Sequence, residues 1–112
     1  MTHLPASNDK LVILYVTLPD INCGKDIARS AIGLKLAACA NILPAMTAIY
    51  EWEGQVEEEN EVVLLLKTGY AQVGALMDHV TVRHPYDTPC IMELPVGRIN
   101  DGYAASLNAQ LR

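Results

Sequence analysis

The chain has 112 residues, which is the length of one domain and too short for two. Its net charge is −5, and its 8 lysines and arginines form no cluster, which excludes the basic face that nucleic acid or an anionic membrane requires. Hydrophobic residues make up 51% of the chain, a little above the usual share, and a subunit interface is the natural place for the surplus.

The cysteines and the shortness of the apolar runs predict a soluble protein of the reducing cytoplasm. Cys23, Cys39 and Cys90 are an odd number without paired spacing, which argues against a disulfide framework. No apolar run reaches the length of a membrane span, and the N-terminus lacks a signal-peptide pattern. We interpret residues 1–10 as a short polar tail and residues 11–112 as a single domain.

The first elements are a strand and a helix. Leu11 to Val16 is an unbroken apolar run of strand length, which Pro19 and Asp20 end. The helix that follows is capped by Asp20 or Asn22. Its predicted inward stripe, spaced at helical intervals, is Ile27, Ala31, Leu34 and Ala38.

Two strands joined by a turn come next. The second strand runs from Cys39 toward Glu51 and contains Pro44, which cannot donate to a ladder and requires a bulge or an edge position. A turn is predicted at residues 53–55. The third strand ends in another continuous apolar run, residues 62–66.

The second half predicts a helix, a loop, a strand and a last helix. Gly69 to Val82 has apolar residues at helical spacing, and a loop bounded by Pro85 and Pro89 follows it. The apolar positions of this helix are Val73, Leu76, Met77 and Val80. A fourth strand covers Ile91 to Val96, and Asp101 can cap a short terminal helix whose apolar side is Tyr103, Leu107 and Leu111.

This order, β-α-β-β-α-β followed by a short C-terminal helix, predicts an α+β fold of the ferredoxin-like, split-βαβ type. Such a fold has one antiparallel sheet with both helices on one face. A sheet with one wet face alternates apolar and polar residues, but the first and third strands do not alternate. We therefore predict that both faces are covered, the second by a neighbouring copy in a homo-oligomer.

The proline loop, residues 84–89, carries the most chemistry in the chain. His84 and Cys90 flank the loop, so they can converge on a borderline cation such as copper or zinc. The alternative is that His84 fixes the loop by hydrogen bonds and that Cys90 is a small buried apolar residue. No CxxC or HxxxH spacing supports the metal site. The candidate ligands are His84, Cys90, Asp87, Glu93 and His79, the last interpreted as solvent-facing.

Nothing in the sequence indicates catalysis. Cys39 lies in an apolar segment, and a Cys90–His84 pair lacks a visible third group to orient it. There is no Gly-rich phosphate loop. The glutamates of residues 57–61 fit a solvated hairpin end, with a cation-attracting surface as the alternative. We predict no enzyme, no catalytic residue and no required cofactor.

Aromatic and charged residues near the loop predict a cleft between subunits. Tyr50 and Trp52 are two apart on a strand and share a face, and Tyr86 comes from the loop. Lys67 is either a snorkelling strand-end residue or a countercharge to Glu61 or Asp87. The predicted cleft residues are Tyr50, Trp52, Glu61, Lys67, Tyr86 and Asp87.

Four segments in this order resemble the CutA divalent-cation tolerance family. They are residues 35–44 (KLAACANILP), residues 50–54 (YEWEG), residues 61–68 (EVVLLLKT), and residues 84–86 (HPY) with Pro89 and residues 94–96 (LPV). The resemblance spans residues 11–112. It implies a ferredoxin-like homotrimer with a long hairpin that reaches across subunits, a role in copper tolerance, copper or another divalent cation as ligand, and no agreed enzymatic activity.

Four positions depart from the family pattern. The copper site of bacterial members is associated with a first-strand cysteine and adjacent histidines, where this chain has Val16 and Arg83 before His84. Cys90 stands where the family usually has a glutamate, and Ser106 where it often has a tryptophan. We therefore take His84 and Cys90 as the candidate metal ligands.

Two other hypotheses remain beside a metal-response trimer. The architecture is similar to that of the PII signalling trimers, so the cleft could sense a small anionic metabolite. A scaffold without a ligand fits the sequence as well.

Overall fold

In the computed structural model of the chain, residues 2–3 and 10–111 are described. Two short strands and a terminal helix accompany four long strands and two helices. In chain order the elements are β1 (Thr2–His3), β2 (Leu11–Leu18), α1 (Ile21–Gly33), β3 (Cys39–Trp52), β4 (Gln55–Gly69), α2 (Val73–Arg83), β5 (Ile91–Pro95), β6 (Ile99–Asn100) and α3 (Asp101–Ala109).

The four long strands form one antiparallel sheet in the order β3-β4-β2-β5. The two central strands are β2 and β4, the pair with the continuous apolar runs. Helices α1 and α2 pack on one face of this sheet and on each other. The predicted ferredoxin-like α+β fold is therefore confirmed.

The core lies between the sheet and the two helices. Every second side chain of the central strands points into it, among them Leu14, Val16, Leu64 and Leu66, all 0% exposed. From the helices, Ile27, Ala31, Leu76 and Val80 meet them. Burying a side chain of this size contributes about 1.5–3 kcal/mol, so this layer supplies most of the stabilisation.

Helix α1 begins where the sequence places a cap. The Asp20 carboxylate accepts a hydrogen bond from the Cys23 backbone N–H at 2.8 Å, which decides between the two predicted caps. The helix ends at Gly33, one turn earlier than the predicted stripe requires. Leu34 is therefore 43% exposed at the C-cap, and Ala38 lies in the turn that leads to β3.

Helix α2 begins at Val73, not at the predicted Gly69. Gly69 is still in β4, where it pairs with Leu11, because the β2–β4 ladder continues to the ends of both strands. The predicted inward residues Val73, Leu76 and Val80 are buried. The helix ends at Arg83, as expected from the proline that follows His84.

Strands β3 and β4 extend beyond the sheet as a two-stranded arm, which comprises residues 45–60. The register shifts between Leu43 and Met46, so the predicted irregularity at Pro44 is a bulge. The arm closes at Glu53 (φ 50°) and Gly54 (φ 80°), a two-residue turn of the type that matches strand twist. The molecule is correspondingly elongated, 47 × 25 × 22 Å.

The other sheet face is not covered by α1 or α2, and α3 contacts it at the Lys67 end of β4. Alternate residues of β2 to β5 point to this face, including Ile13, Tyr15 and Leu65, which are half-buried. Leu43 and Met92, each 50% exposed, and Leu94, 37% exposed, lie at its two edges. Within one chain, the second face that the sequence predicts to be covered is therefore partly open.

The predicted tail and the last helix complete the fold. Thr2–His3 pairs with Ile99–Asn100, and the rest of the tail before Lys10 lies outside the described residues. Asn100, not Asp101, is the N-cap of α3. Leu107 is the buried residue of this helix.

Candidate functional site

A cleft of about 690 Å³ lies at the root of the arm, on the side of the sheet opposite α1 and α2. The end of β2, the proline loop and one side of the arm form its walls. We call it the arm-root cleft, lined by Thr17, Tyr50, Trp52, Glu57, Glu59, Glu61, Tyr86, Asp87, Thr88 and Cys90. Its volume is in the range of small-molecule sites. Five of the six predicted cleft residues are among these.

His84 fixes the proline loop to strand β2. Its side chain is buried, and Nδ1 accepts the Tyr86 backbone N–H at 3.1 Å, so the proton is on Nε2. Nε2–H donates to the Thr17 carbonyl oxygen at 2.7 Å. Each ring nitrogen therefore has a backbone partner, and a metal ion at His84 would have to replace one of them.

Cys90 lies on the other side of Thr17. Its carbonyl oxygen accepts the Thr17 backbone N–H at 3.3 Å, and its thiol is free and half-buried in the cleft wall. Over residues 2–3 and 10–111, no three His, Cys, Asp or Glu side chains are placed to hold a metal ion. The ligand pair His84 and Cys90 stays a prediction.

Tyr86 links the loop to the arm. Its hydroxyl donates to Glu61 Oε2 at 3.0 Å, and its ring lies 4.9 Å from the imidazole of His84 between ring centroids. Burial and then the hydrogen bond to Glu61 raise the pKa of Tyr86 to about 12. The phenol is therefore protonated at neutral pH and remains a donor to the carboxylate.

A row of glutamates forms the arm side of the cleft. Residues two apart on a strand share a face, so Glu57, Glu59 and Glu61 project on the same side as Tyr50 and Trp52 of the paired strand. A hydrogen bond to Glu59 is the first cause that raises the pKa of Tyr50, followed by its partial burial. Of the three glutamates, Glu61 is paired with the Tyr86 hydroxyl.

Sequence reasoning missed four of the lining residues: Thr17, Glu57, Glu59 and Thr88. The alternation along β4 contains the signal for the two glutamates, because Glu61 was already predicted and Glu57 and Glu59 follow at steps of two. Thr17 and Thr88 had no such signal, since only the fold brings β2 against the loop.

Lys67 is absent from the cleft lining. Its Nζ donates to the Tyr103 hydroxyl at 2.8 Å, and this hydrogen bond raises the pKa of the lysine. Lys67, which the sequence suggested as a countercharge to Glu61 or Asp87, is therefore hydrogen-bonded to α3 instead. Among the described residues that line the cleft, none is basic.

His79 was predicted to face solvent, but it is half-buried. Because α1 packs on α2, its Nε2 lies 2.9 Å from the Ser30 hydroxyl, and the Arg83 guanidinium donates to its Nδ1 at 3.1 Å. Partial burial and then the charge of Arg83 lower the pKa of His79. The imidazole joins the two helices and lies outside the cleft lining.

None of the helices in the described part of the chain is both long and apolar enough to cross a bilayer.

Comparisons with known proteins point to one family. A family model described as CutA1 divalent ion tolerance protein matches residues 12–110. The divalent-cation tolerance protein CutA of Escherichia coli is 40% identical over 107 residues, which cover 96% of this chain and 96% of the bacterial protein.

A second relative is longer than this chain. The CutA homolog of Xenopus laevis is 45% identical over 89 residues, which are 80% of this chain and 59% of the frog protein. The chain therefore spans less than two thirds of that relative's length. Among solved structures, the crystal structure of CutA1 from Oryza sativa has a TM-score of 0.89 at 37% identity, and the match covers 96% of this chain and 98% of the rice chain.

Proposed function

This chain belongs to the CutA1 divalent ion tolerance family, and we propose that it serves divalent-cation tolerance as a cytoplasmic homotrimer that catalyses no reaction. In this proposal the assembled trimer is the functional form of the protein, and copper or another divalent cation binds at its surface. No prosthetic group is needed.

The sheet face opposite α1 and α2 is the observation that carries the proposal of assembly. Leu43, Met92 and Leu94 leave much of their apolar surface in water at its edges. A sheet face of this kind is normally covered, and the two long helices of the chain, α1 and α2, pack on the opposite face. A second copy laid on this face would bury these side chains and give the exposed arm a surface to contact.

The arm-root cleft supports the proposal of cation binding. Four carboxylates line it, those of Glu57, Glu59, Glu61 and Asp87, without a basic neighbour, so it attracts cations. The Cys90 thiol lies in the same wall, and His84 is the nearest candidate imidazole. Because both ring nitrogens of His84 are hydrogen-bonded, we expect weak binding that does not contribute to folding.

Native mass spectrometry with and without equimolar Cu²⁺ tests both the proposed assembly and the proposed cation binding. We expect a trimer that retains copper, with less copper retained by Cys90→Ser and His84→Ala. Cys23→Ser is the control, because this thiol lies on α1, outside the cleft lining. A monomer in the native spectrum would contradict the assembly, and copper retention that ignores Cys90 and His84 would contradict the ligand pair.

A second candidate function is the binding of a small molecule in the arm-root cleft. The observation that favours it is the combination of about 690 Å³ of space with three aromatic side chains, Tyr50, Trp52 and Tyr86. The charge of the lining favours a cationic ligand over the anionic metabolite that the sequence suggested.

A further inference from the structure

Helices α1 and α2 are joined by three side chains, on the far side of the sheet from the face proposed for assembly. The His79 imidazole stands between the Ser30 hydroxyl, 2.9 Å from Nε2, and the Arg83 guanidinium, 3.1 Å from Nδ1. Arg83 also donates to the His79 carbonyl oxygen at 3.4 Å. A second copy on the opposite sheet face would lie across the sheet from this cluster, so the proposed assembly leaves these contacts as they are.

The two partners of His79 fix the position of the proton on the neutral imidazole. A guanidinium can only donate, so Nδ1 accepts, and the proton is on Nε2, which donates to the Ser30 hydroxyl oxygen. A serine activated for catalysis needs the reverse arrangement, with an unprotonated nitrogen toward its hydroxyl. The cluster is therefore a structural connection between the two helices and not a nucleophile with its base.

Protonation of His79 turns the contact at Nδ1 from attraction into repulsion. The imidazolium has an N–H group on both nitrogens, so Nδ1 and the Arg83 guanidinium become two donors and two positive charges 3.1 Å apart. The bond from Nε2 to Ser30 can remain. Partial burial and then the charge of Arg83 lower the pKa of His79 from its reference value of 6.5, so the imidazole is neutral at neutral pH and the repulsion arises only in acid.

The elements packed against α2 bring little charge to His79. From α1 it is contacted by the neutral hydroxyl of Ser30. The charged residues of α1 are all exposed: Lys25, Asp26 and Arg29. Strands β2 and β5 lie under α2 and present apolar side chains, among them Val16 and Ile91. Within residues 10–111, Arg83 is the charged group that acts on the pKa of His79, so the protonation of His79 decides whether Arg83 stays in place.

The end of α2 is also the start of the proline loop. Arg83 is the last residue of the helix, and the backbone N–H of the next residue bonds back to the Thr81 carbonyl oxygen at 3.4 Å. The loop carries Tyr86, which donates to Glu61 of the arm, so a displaced helix end displaces one wall of the arm-root cleft. We propose that His79 is a proton-sensitive switch that holds the end of α2 and the proline loop in place through Arg83 at neutral pH and releases both in acid.

The test is hydrogen–deuterium exchange of the wild-type protein without added metal, at neutral pH and at a series of values below about pH 6.5, corrected for the intrinsic pH dependence of exchange. We expect residues 81–88 to exchange about fivefold faster in acid, the effect of losing one hydrogen bond, while residues 62–66 of β4 stay protected. His79→Gln stays neutral and can form both hydrogen bonds, so it should not show the acceleration. His3→Gln removes an imidazole from β1 and should respond like the wild type.

Arg83→Gln tests the same connection without a change of pH. It removes the charge that His79 opposes, and we expect residues 81–88 to exchange faster already at neutral pH and to respond less to acid. Arg29→Gln is the matched control, because it removes an exposed guanidinium from α1 and should leave the exchange of residues 81–88 unchanged.

Three results would overturn the proposal. The wild type could show no acceleration in acid. His79→Gln could accelerate as much as the wild type, and another group, such as His84, would then be responsible. Residues 62–66 could accelerate as much as residues 81–88, which would indicate unfolding of the whole domain. Because the experiment contains no metal, its result does not depend on the proposed cation binding.

Discussion

The Tyr86–Glu61 hydrogen bond joins a loop residue to an arm residue 25 positions earlier in the chain. The phenol donates and the carboxylate accepts, so the bond exists only while Tyr86 is protonated. Burial adds to the effect of Glu61, and together they raise the pKa of Tyr86 to about 12. This single hydrogen bond connects the proline loop to the arm at the wall of the cleft.

Tyr86→Phe removes this hydrogen bond, and we expect the free energy of unfolding to fall by about 1 kcal/mol at neutral pH. The folded state holds the phenolic proton more tightly than the unfolded state, whose reference pKa is 10.0. The stabilisation is therefore complete below pH 10 and is lost as the pH rises toward about 12. Urea unfolding across this range should show the loss in wild-type protein and not in the variant.

Tyr70→Phe is the control for this experiment, because the Tyr70 ring is 56% exposed and packs near Lys10, away from the cleft. If Tyr70→Phe also abolished the loss of unfolding free energy at alkaline pH, that loss would not be specific to Tyr86.

At the scale of elements, the arm depends on its turn and its bulge. Glu53 and Gly54 both have positive φ, which lets two residues reverse the chain with the twist of the strands. The bulge at Pro44 turns the arm out of the sheet without breaking the hairpin. The turn therefore sets the register that puts Trp52 and the glutamate row on the same face of the arm.

Gly54→Ala puts a side chain at φ 80°, and we expect it to cost about 1 kcal/mol. Gly74→Ala is the matched control. Gly74 lies in α2 with nothing within 4 Å of an added Cβ, so alanine there should be neutral or stabilising by up to about 1 kcal/mol. Chemical denaturation of the two variants checks the difference, and the opposite order would contradict the assigned turn.

Helices α1 and α2 meet at His79. Its pKa is lowered, so the folded state binds the imidazole proton less readily than the unfolded state, which has a reference value of 6.5. The stabilisation from His79 is present above pH 6.5 and is lost as the pH falls through the lowered folded value. Protonation at Nδ1 would also end the hydrogen bond from Arg83.

We therefore expect the melting temperature of the wild type to fall more steeply than that of His79→Gln as the pH drops below about 6.5. Taking the difference in melting temperature between the two proteins at each pH removes the contribution of the other groups that titrate in this range. Parallel curves for the two proteins would show that His79 is not linked to folding.

At the scale of the whole molecule, the apolar surface is divided unequally. One sheet face is sealed by two helices, while the other has Met92, Leu94 and Leu43 at its exposed edges. The arm adds Trp52 and Ile49, both more than half exposed. A folded chain with this much apolar surface gains from association, because each large side chain that is buried contributes about 1.5–3 kcal/mol.

Met92→Lys places a charge on the uncovered face, and we expect it to dissociate the proposed trimer and lower the melting temperature. Val82→Lys is the control, because Val82 is 81% exposed on α2, away from this face. Trp52→Ala should weaken the assembly from the side of the arm. Sedimentation velocity measures all three, and an unchanged trimer in Met92→Lys and Trp52→Ala would refute the role of these surfaces.

Local patterns in the sequence were sufficient for the order of the four long strands and the three helices, but not for the short strands β1 and β6. Asp20 had its capping side chain at the start of α1, Pro44 required a bulge, and the residue before Pro85 had to leave the helix. These features depend on neighbours along the chain. Helix ends were less predictable, since Gly69 follows the β2–β4 ladder and not its own helical pattern.

The sequence by itself determined the ferredoxin-like order and the apolar central strands, because hydrophobic period, capping and proline act over a few positions. Only the tertiary structure decided which partners the polar side chains take. It pairs Lys67 with Tyr103, His79 with Ser30, and both nitrogens of His84 with backbone groups. Hydrogen bonds form over about 3 Å between residues that are far apart in the chain, so no local pattern specifies them.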